Sequence, residues 1–109
     1  MINKIVIRAL EDVRVSVTFQ TYKGKEDTYI TFFTYLDKSE QYADDEELIT
    51  GYYVQIDVWS KGDYTDLVNK VHNRMKKVGF IKLNFYDMYE NDLKIYHKVM
   101  RYRIDKEAE

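Results

Sequence analysis

The segment Leu48–Trp59 alternates so regularly that it admits one backbone conformation. Tyr52, Val54, Ile56 and Val58 fall on one side, and Tyr53, Gln55, Asp57 and Trp59 on the other. A period of two residues belongs to a β-strand whose faces meet different surroundings. The chain therefore needs a sheet with an apolar layer against one face and something more polar against the other. Gly51, inside this strand, marks a bulge or a close approach by another backbone.

That apolar layer comes from two segments with a different period. Tyr64, Leu67, Val68, Val71, Met75 and Val78 recur at three and four residues, the stripe of an amphipathic helix. Asp63 and Asp66 put negative charge on the exposed amides of its first turn, Lys76 and Lys77 fall in its last, and Gly79 can end it in a left-handed conformation. The spacing predicts a helix over Asp63–Val78. Ile2, Ile5, Val6, Ala9 and Leu10 predict another over Ile2–Asp12. Val13, Val15, Val17 and Phe19 alternate as a strand, and Tyr22–Asp27, with Gly24 among charges, reads as a turn. Thr28–Leu36, dense in β-branched and aromatic residues, is a strand apolar on both faces. Phe80–Tyr89 and Leu93–Ile104 make a closing hairpin around Glu90, Asn91 and Asp92. Asp37–Glu47 is polar throughout and is expected to form a protruding loop or a loose hairpin arm.

The expected architecture is α+β: two amphipathic helices on one face of a mainly antiparallel sheet. At 109 residues the chain suits one domain, over residues 1–104, with a short flexible end at 105–109 that frays from Lys106. The hydrophobic share of 45% and charged share of 33% are those of a globular chain rather than a disordered one. No run of apolar residues is long enough for a bilayer, and Lys4, Arg8, Glu11 and Asp12 interrupt any signal-peptide core, so the protein is expected to be cytoplasmic where it is made.

Little in the sequence points to chemistry. Without cysteine there is no disulfide, thiolate metal site or cysteine nucleophile. The isolated glycines at 24, 51, 62 and 79 build no phosphate loop. His72 reads as a surface histidine on the polar side of its helix, and His97 as a strand histidine with a local partner. Asp44, Asp45, Glu46 and Glu47 lack the ligand spacing of a calcium loop and read more simply as a solvated acidic loop. Asp57, a charge within an aromatic-rich strand, needs a partner or water, and a polar interface is its simplest setting. Lys94, Tyr96, Lys98, Arg101, Tyr102 and Arg103 interleave cations with aromatics as single-strand binders do. However, Tyr96 and Tyr102 share a strand face with Met100 and Ile104 that suits the core equally well, and an acidic loop repels phosphate. No enzyme activity, cofactor, metal or specific nucleic acid is expected.

Charge is divided along the chain. Asp37–Asp66 carries a net −7 and Leu67–Ile104 a net +6. Such a division suits a subunit whose one side attracts the other side of its neighbour. The interface candidates are Asp44, Asp45, Glu46 and Glu47 on the acidic side, Lys70, Arg74, Lys77, Lys94 and Lys98 on the basic side, and Tyr53, Asp57 and Trp59 on the strand between them. Eleven tyrosines and five phenylalanines supply side chains favoured at half-buried contacts.

Ala43-Asp44-Asp45-Glu46-Glu47, Gly51-Tyr52-Tyr53-Val54-Gln55-Ile56-Asp57-Val58-Trp59-Ser60, the helix from Asp63 to Gly79 and the ending Tyr89-Glu90-Asn91-Asp92-Leu93-Lys94-Ile95-Tyr96-His97-Lys98 occur in this order. With Thr21-Tyr22-Lys23-Gly24 and Tyr29-Ile30-Thr31-Phe32, this pattern resembles the small prophage proteins of Gram-positive bacteria grouped as tail-completion or tail-terminator proteins. The resemblance implies two helices against a sheet and a closed ring, usually sixfold, on the head-proximal end of the tail tube. There the ring stops tube growth and presents a docking surface to the neck. Implied partners are further copies of the chain, the tail tube protein, neck or head-completion proteins and, where the tail is contractile, the sheath. No motif separates a terminator from a neck or head-tail joining protein of the same assembly, which is one alternative, and a small nucleic-acid-binding module is the alternative from another class.

Overall fold

The stripe at Val68, Val71 and Met75 forms one side of α2 (Thr65–Lys77) and is buried against the sheet. The computed structural model describes residues 2–43 and 46–107. Asp63 starts this helix: its Oδ1 accepts the Thr65 backbone N–H at 2.9 Å and the Thr65 hydroxyl at 2.7 Å. Its end follows from Gly79, which adopts φ +108°. Gly79 N donates to Lys76 O and Phe80 N to Met75 O, the paired reverse bonds that close a helix on a left-handed glycine.

The first helix, α1 (Ile2–Ala9), is shorter than the expected Ile2–Asp12. Beyond Ala9 the chain tightens into three-residue turns, Glu11 N to Arg8 O and Val13 N to Leu10 O, which still bury Leu10 and Val13. These turns bring Asp12 to α2, where Arg74 Nη2 donates to its carboxylate at 2.8 Å.

Five strands follow: β1 (Ser16–Phe19), β2 (Thr28–Ala43), β3 (Glu46–Ser60), β4 (Ile81–Glu90) and β5 (Ile95–Glu107). They form one sheet in the order β1-β2-β3-β5-β4, antiparallel except for β1 beside β2. The alternating segment is thus the central strand. Val54, Ile56 and Val58 join Ile30 and Phe32 of β2, Met100, Tyr102 and Ile104 of β5, and the buried sides of both helices in one core. The fold is the α+β arrangement expected.

Of the two forms expected for Asp37–Glu47 the described residues take the hairpin arm, and the end of the chain corrects the expectation. Asp37–Ala43 is paired strand: Asp37 lies opposite Tyr52, Lys38 opposite Gly51 and Ala43 opposite Glu46. Polar side chains conceal a strand here because backbone pairing supplies the order. Ser39 Oγ donates to Glu47 Oε1 at 2.7 Å, and Tyr53 Oη donates to Glu40 Oε1 at 3.1 Å. Lys106 and Glu107 do not fray but pair with Thr50 and Ile49; Ala108 and Glu109 lie outside the described residues. The β2–β3 arm therefore shares part of its length with β5, and the molecule measures 52 × 27 × 23 Å. Gly51 makes room for a side chain rather than a backbone, since a Cβ there would stand 2.8 Å from the Glu40 carboxylate. Among the described residues no helix is long and apolar enough to cross a membrane.

Val71 has no exposed surface. Val71→Asp buries an unpaired carboxylate at a cost of several kcal/mol, against a total stability of about 5–15 kcal/mol for a domain of this kind. The variant is expected to lose its cooperative thermal transition by circular dichroism, and a wild-type melt would show that the core is placed wrongly.

Candidate functional site

Both described helices pack on one face of the sheet, so its other face is closed by the side chains of the strands. Tyr22, from the β1–β2 loop, stacks on Tyr29 at 3.9 Å between ring centres. Tyr29 lies 6.1 Å from Trp59, and Trp59 stacks on His97 at 3.7 Å. The row of four rings crosses β2, β3 and β5. Gly24 permits it, because a Cβ at that position would meet the Tyr22 ring.

Hydrogen bonds link the same face. His97 Nε2 donates to Asp57 Oδ1 at 2.7 Å, and Gln55 Nε2 donates to the same oxygen at 2.8 Å. Gln55 Oε1 accepts from Arg101 Nε at 3.0 Å, and Trp59 Nε1 donates to Thr31 Oγ1 at 3.0 Å. Asp57 and His97 are buried, 4% and 7% exposed. His97 Nδ1 makes no hydrogen bond among the described residues and lies 3.6 Å from Glu90 Oε1. A buried carboxylate with two donors is a structural solution to charge in a sheet. Asp57, read from sequence as part of a polar interface, is thus satisfied within its own chain. Arg101 lies over the rings of Tyr35 and Tyr86, and Arg103 over that of Tyr53.

The basic candidates separate into used and unused. Asp12, 62 residues before Arg74, accepts both Arg74 Nε and Nη2, while Lys70 Nζ donates to Asp12 O at 3.0 Å. The Arg74 hydrogen bond, with the charges of Arg74 and Lys70, holds the Asp12 carboxyl below its usual range despite some desolvation. Lys98 Nζ stands 3.2 Å from Asp87 Oδ1, and Asp87 also accepts the Tyr64 hydroxyl. These three cations are therefore bound within the subunit. Lys77 is exposed beside Arg8 and Arg74, and Lys94 is exposed in the β4–β5 turn at φ 52°.

On the acidic side, Glu46 and Glu47 are exposed near the tip of the arm; Asp44 and Asp45 lie outside the described residues. The hydroxyls of Thr50 and Ser39 hold the Glu47 carboxyl below its usual range, keeping it charged. Tyr53 and Trp59 are half-buried in the aromatic face.

Sequence reasoning misplaced His72. It is half-buried, and its Nδ1 shares a hydrogen bond of 3.0 Å with the hydroxyl of Tyr102, a fully buried residue. Sequence reasoning also missed Lys76 and Lys82, which take part in no ion pair among the described residues. A further surprise is β4, alternating in sequence yet exposed along almost its whole length. Ile81, Leu83, Tyr86, Met88, Tyr89, Leu93 and Tyr96 are seven of the thirteen large hydrophobic side chains exposed among the described residues. The clue in the sequence was the number of apolar residues after Gly79, more than one helix face can cover.

Compared with models of protein families and with curated proteins, the chain matches none.

Removing one member of the Asp57–His97 pair strands the other in a nearly dry setting, at about 1–3 kcal/mol per unsatisfied group. Asp57→Ala is expected to lower stability in urea denaturation by this order, and Asp57→Leu with His97→Leu to cost less than the sum of the two single replacements. Strict additivity would show that the bond contributes nothing specific.

Proposed function

We propose that this chain is a structural subunit of a phage-type tail, a terminator that closes into a ring on the head-proximal end of the tail tube, ends tube growth and offers the surface on which the neck docks. It works by assembly and turns over no substrate. Its place is in the virion tail, after synthesis in the cytoplasm of the bacterial host. Its partners are further copies of itself, the tube protein and the neck proteins.

The observation that carries this reading is the apolar exposure concentrated between Ile81 and Tyr96, on β4, the turn after it and the start of β5, where β4 has no strand on its outer side among the described residues. Large apolar patches on small soluble domains mark contact surfaces, and an open edge strand bearing them favours association unless something covers it. The β2–β3 arm, which runs on past the start of β4, supplies a second, unlike patch. A ring requires two such patches, since each subunit meets its neighbour through different surfaces and rotation closes the circle. The resemblance of the sequence to tail-terminator proteins, and the α+β fold that it implied, point the same way.

Nucleic-acid binding gains less support. Arg103, over the Tyr53 ring, is held by Asp105 at 2.8 Å and lies 3.4 Å from Glu40, and Arg101, over the rings of Tyr35 and Tyr86, donates to Gln55 at 3.0 Å.

Purified protein at micromolar concentration is expected to sediment as a closed ring of identical subunits, sixfold in negative-stain images. Ile81→Glu with Leu93→Glu, both at exposed positions, should keep the fold and shift the population to monomer by at least tenfold in dissociation constant. A wild-type chain that remains monomeric at every concentration would overturn the proposal.

A further inference from the structure

We infer that the cleft between the end of α2 and the start of β4 is the seat for the acidic arm of a second copy of this chain. The inference deepens the assembly reading and rests on it. The cleft encloses about 530 Å³ of accessible space, and its lining includes His72, Lys76, Phe80, Ile81 and Lys82.

Its electrostatics are one-sided. Lys70, Arg74 and Lys98 are each engaged by an acid or a carbonyl of their own subunit. Lys76 and Lys82 belong to no ion pair among the described residues. Lys82 Nζ stands 4.2 Å from the centre of the Phe85 ring, which fixes the ammonium without neutralising it. His72 registers the result: burial first, and then the charges of Lys82 and Lys76, hold its imidazole below the usual range. A carboxylate seated here would meet two unneutralised cations. Next to them Ile81, 62% exposed, offers an apolar rim.

The arm carries the complementary features. Asp37, Glu46 and Glu47 are exposed on it, with Lys38 the one base between Asp37 and Glu47. Leu36 and Leu48 are exposed beside these acids, 46% and 41%. Glu40 does not take part, because Tyr53 and Arg103 hold it on its own sheet. Register carries the arm away from its own cleft: Ile81 lies opposite Arg103, whereas the arm continues outward to Ile49, opposite Glu107. At about 3.3 Å per residue, those four positions alone separate the two by roughly 13 Å, so a seated arm belongs to another molecule. Acid meets ammonium and Leu48 meets Ile81, giving both register and buried apolar area.

The chain has no cysteine, so a single introduced thiol reports one contact. Full-length Ile81→Cys and Leu48→Cys variants, one carrying a purification tag to separate the products by mass, are mixed in low salt and oxidised mildly. The mixed disulfide is expected to exceed either homodimer at least fivefold. Adding Lys76→Glu and Lys82→Glu to the Ile81→Cys chain should reduce it at least fivefold, and Glu46→Lys with Glu47→Lys in the Leu48→Cys chain should restore most of it. Wild-type rings in sedimentation, with no excess of mixed disulfide, would overturn this seat while leaving the ring intact. A cross-linked pair without any larger particle would support the seat and overturn the ring. A monomer that forms no mixed disulfide would overturn both.

Discussion

Trp59 stacked on His97, with Asp57 bound to the edge of the imidazole, lets the sheet bury a face on which neither described helix packs. Both helices are committed to the other face, where Val6, Val71 and Met75 meet Val54, Ile56 and Met100. Without a second layer, the central strand would leave a charged residue and a row of aromatics half-solvated. The strands supply that layer themselves: the rings pack on one another, and the polar atoms satisfy one another. Each ring buries far more area than an aliphatic side chain in the same place, and each buried donor or acceptor that finds a partner avoids a cost of about 1–3 kcal/mol.

This arrangement accounts for what is left unsatisfied elsewhere. The row of rings runs from the β1–β2 loop to β5 and ends there, so β4 lies beyond it with exposed side chains on both faces. On the opposite side, β1 pairs with only Tyr29–Phe32 of β2, and the rest of β2 continues outward with β3 as the arm. One edge is apolar and the far end of the hairpin is acidic. A small domain that has spent its helices on one face thus carries two unlike surfaces, the minimum for a directional assembly.

Elements governed by local rules were legible in the sequence. The period of two over Leu48–Trp59 and the stripe, acids and glycine of α2 specify their structures within a dozen residues, and both were found where expected. Interactions made across the chain were not. Lys70 and Arg74 look as available on a helical projection as Lys76 does, and only the tertiary fold brings Asp12 to the first two. His97 could be given a partner in principle, but its choice of Asp57 depends on the register between β3 and β5. The arm was legible only as one of two alternatives, because side-chain period cannot reveal a strand whose pairing comes from the backbone and whose faces are both wet. His72 was misread because Tyr102, its partner, lies 30 residues away.

Assembly through unlike surfaces leaves a local mark on the backbone, and amide hydrogen exchange compared at low and high protein concentration reads it directly. Protection is expected to rise with concentration at Glu46–Thr50 of the arm and Gly79–Leu83 at the start of β4, while amides of β3 opposite β5 stay equally slow at both concentrations. Exchange that is identical everywhere, at concentrations from nanomolar to hundreds of micromolar, would contradict the proposed assembly through the exposed edge and the arm.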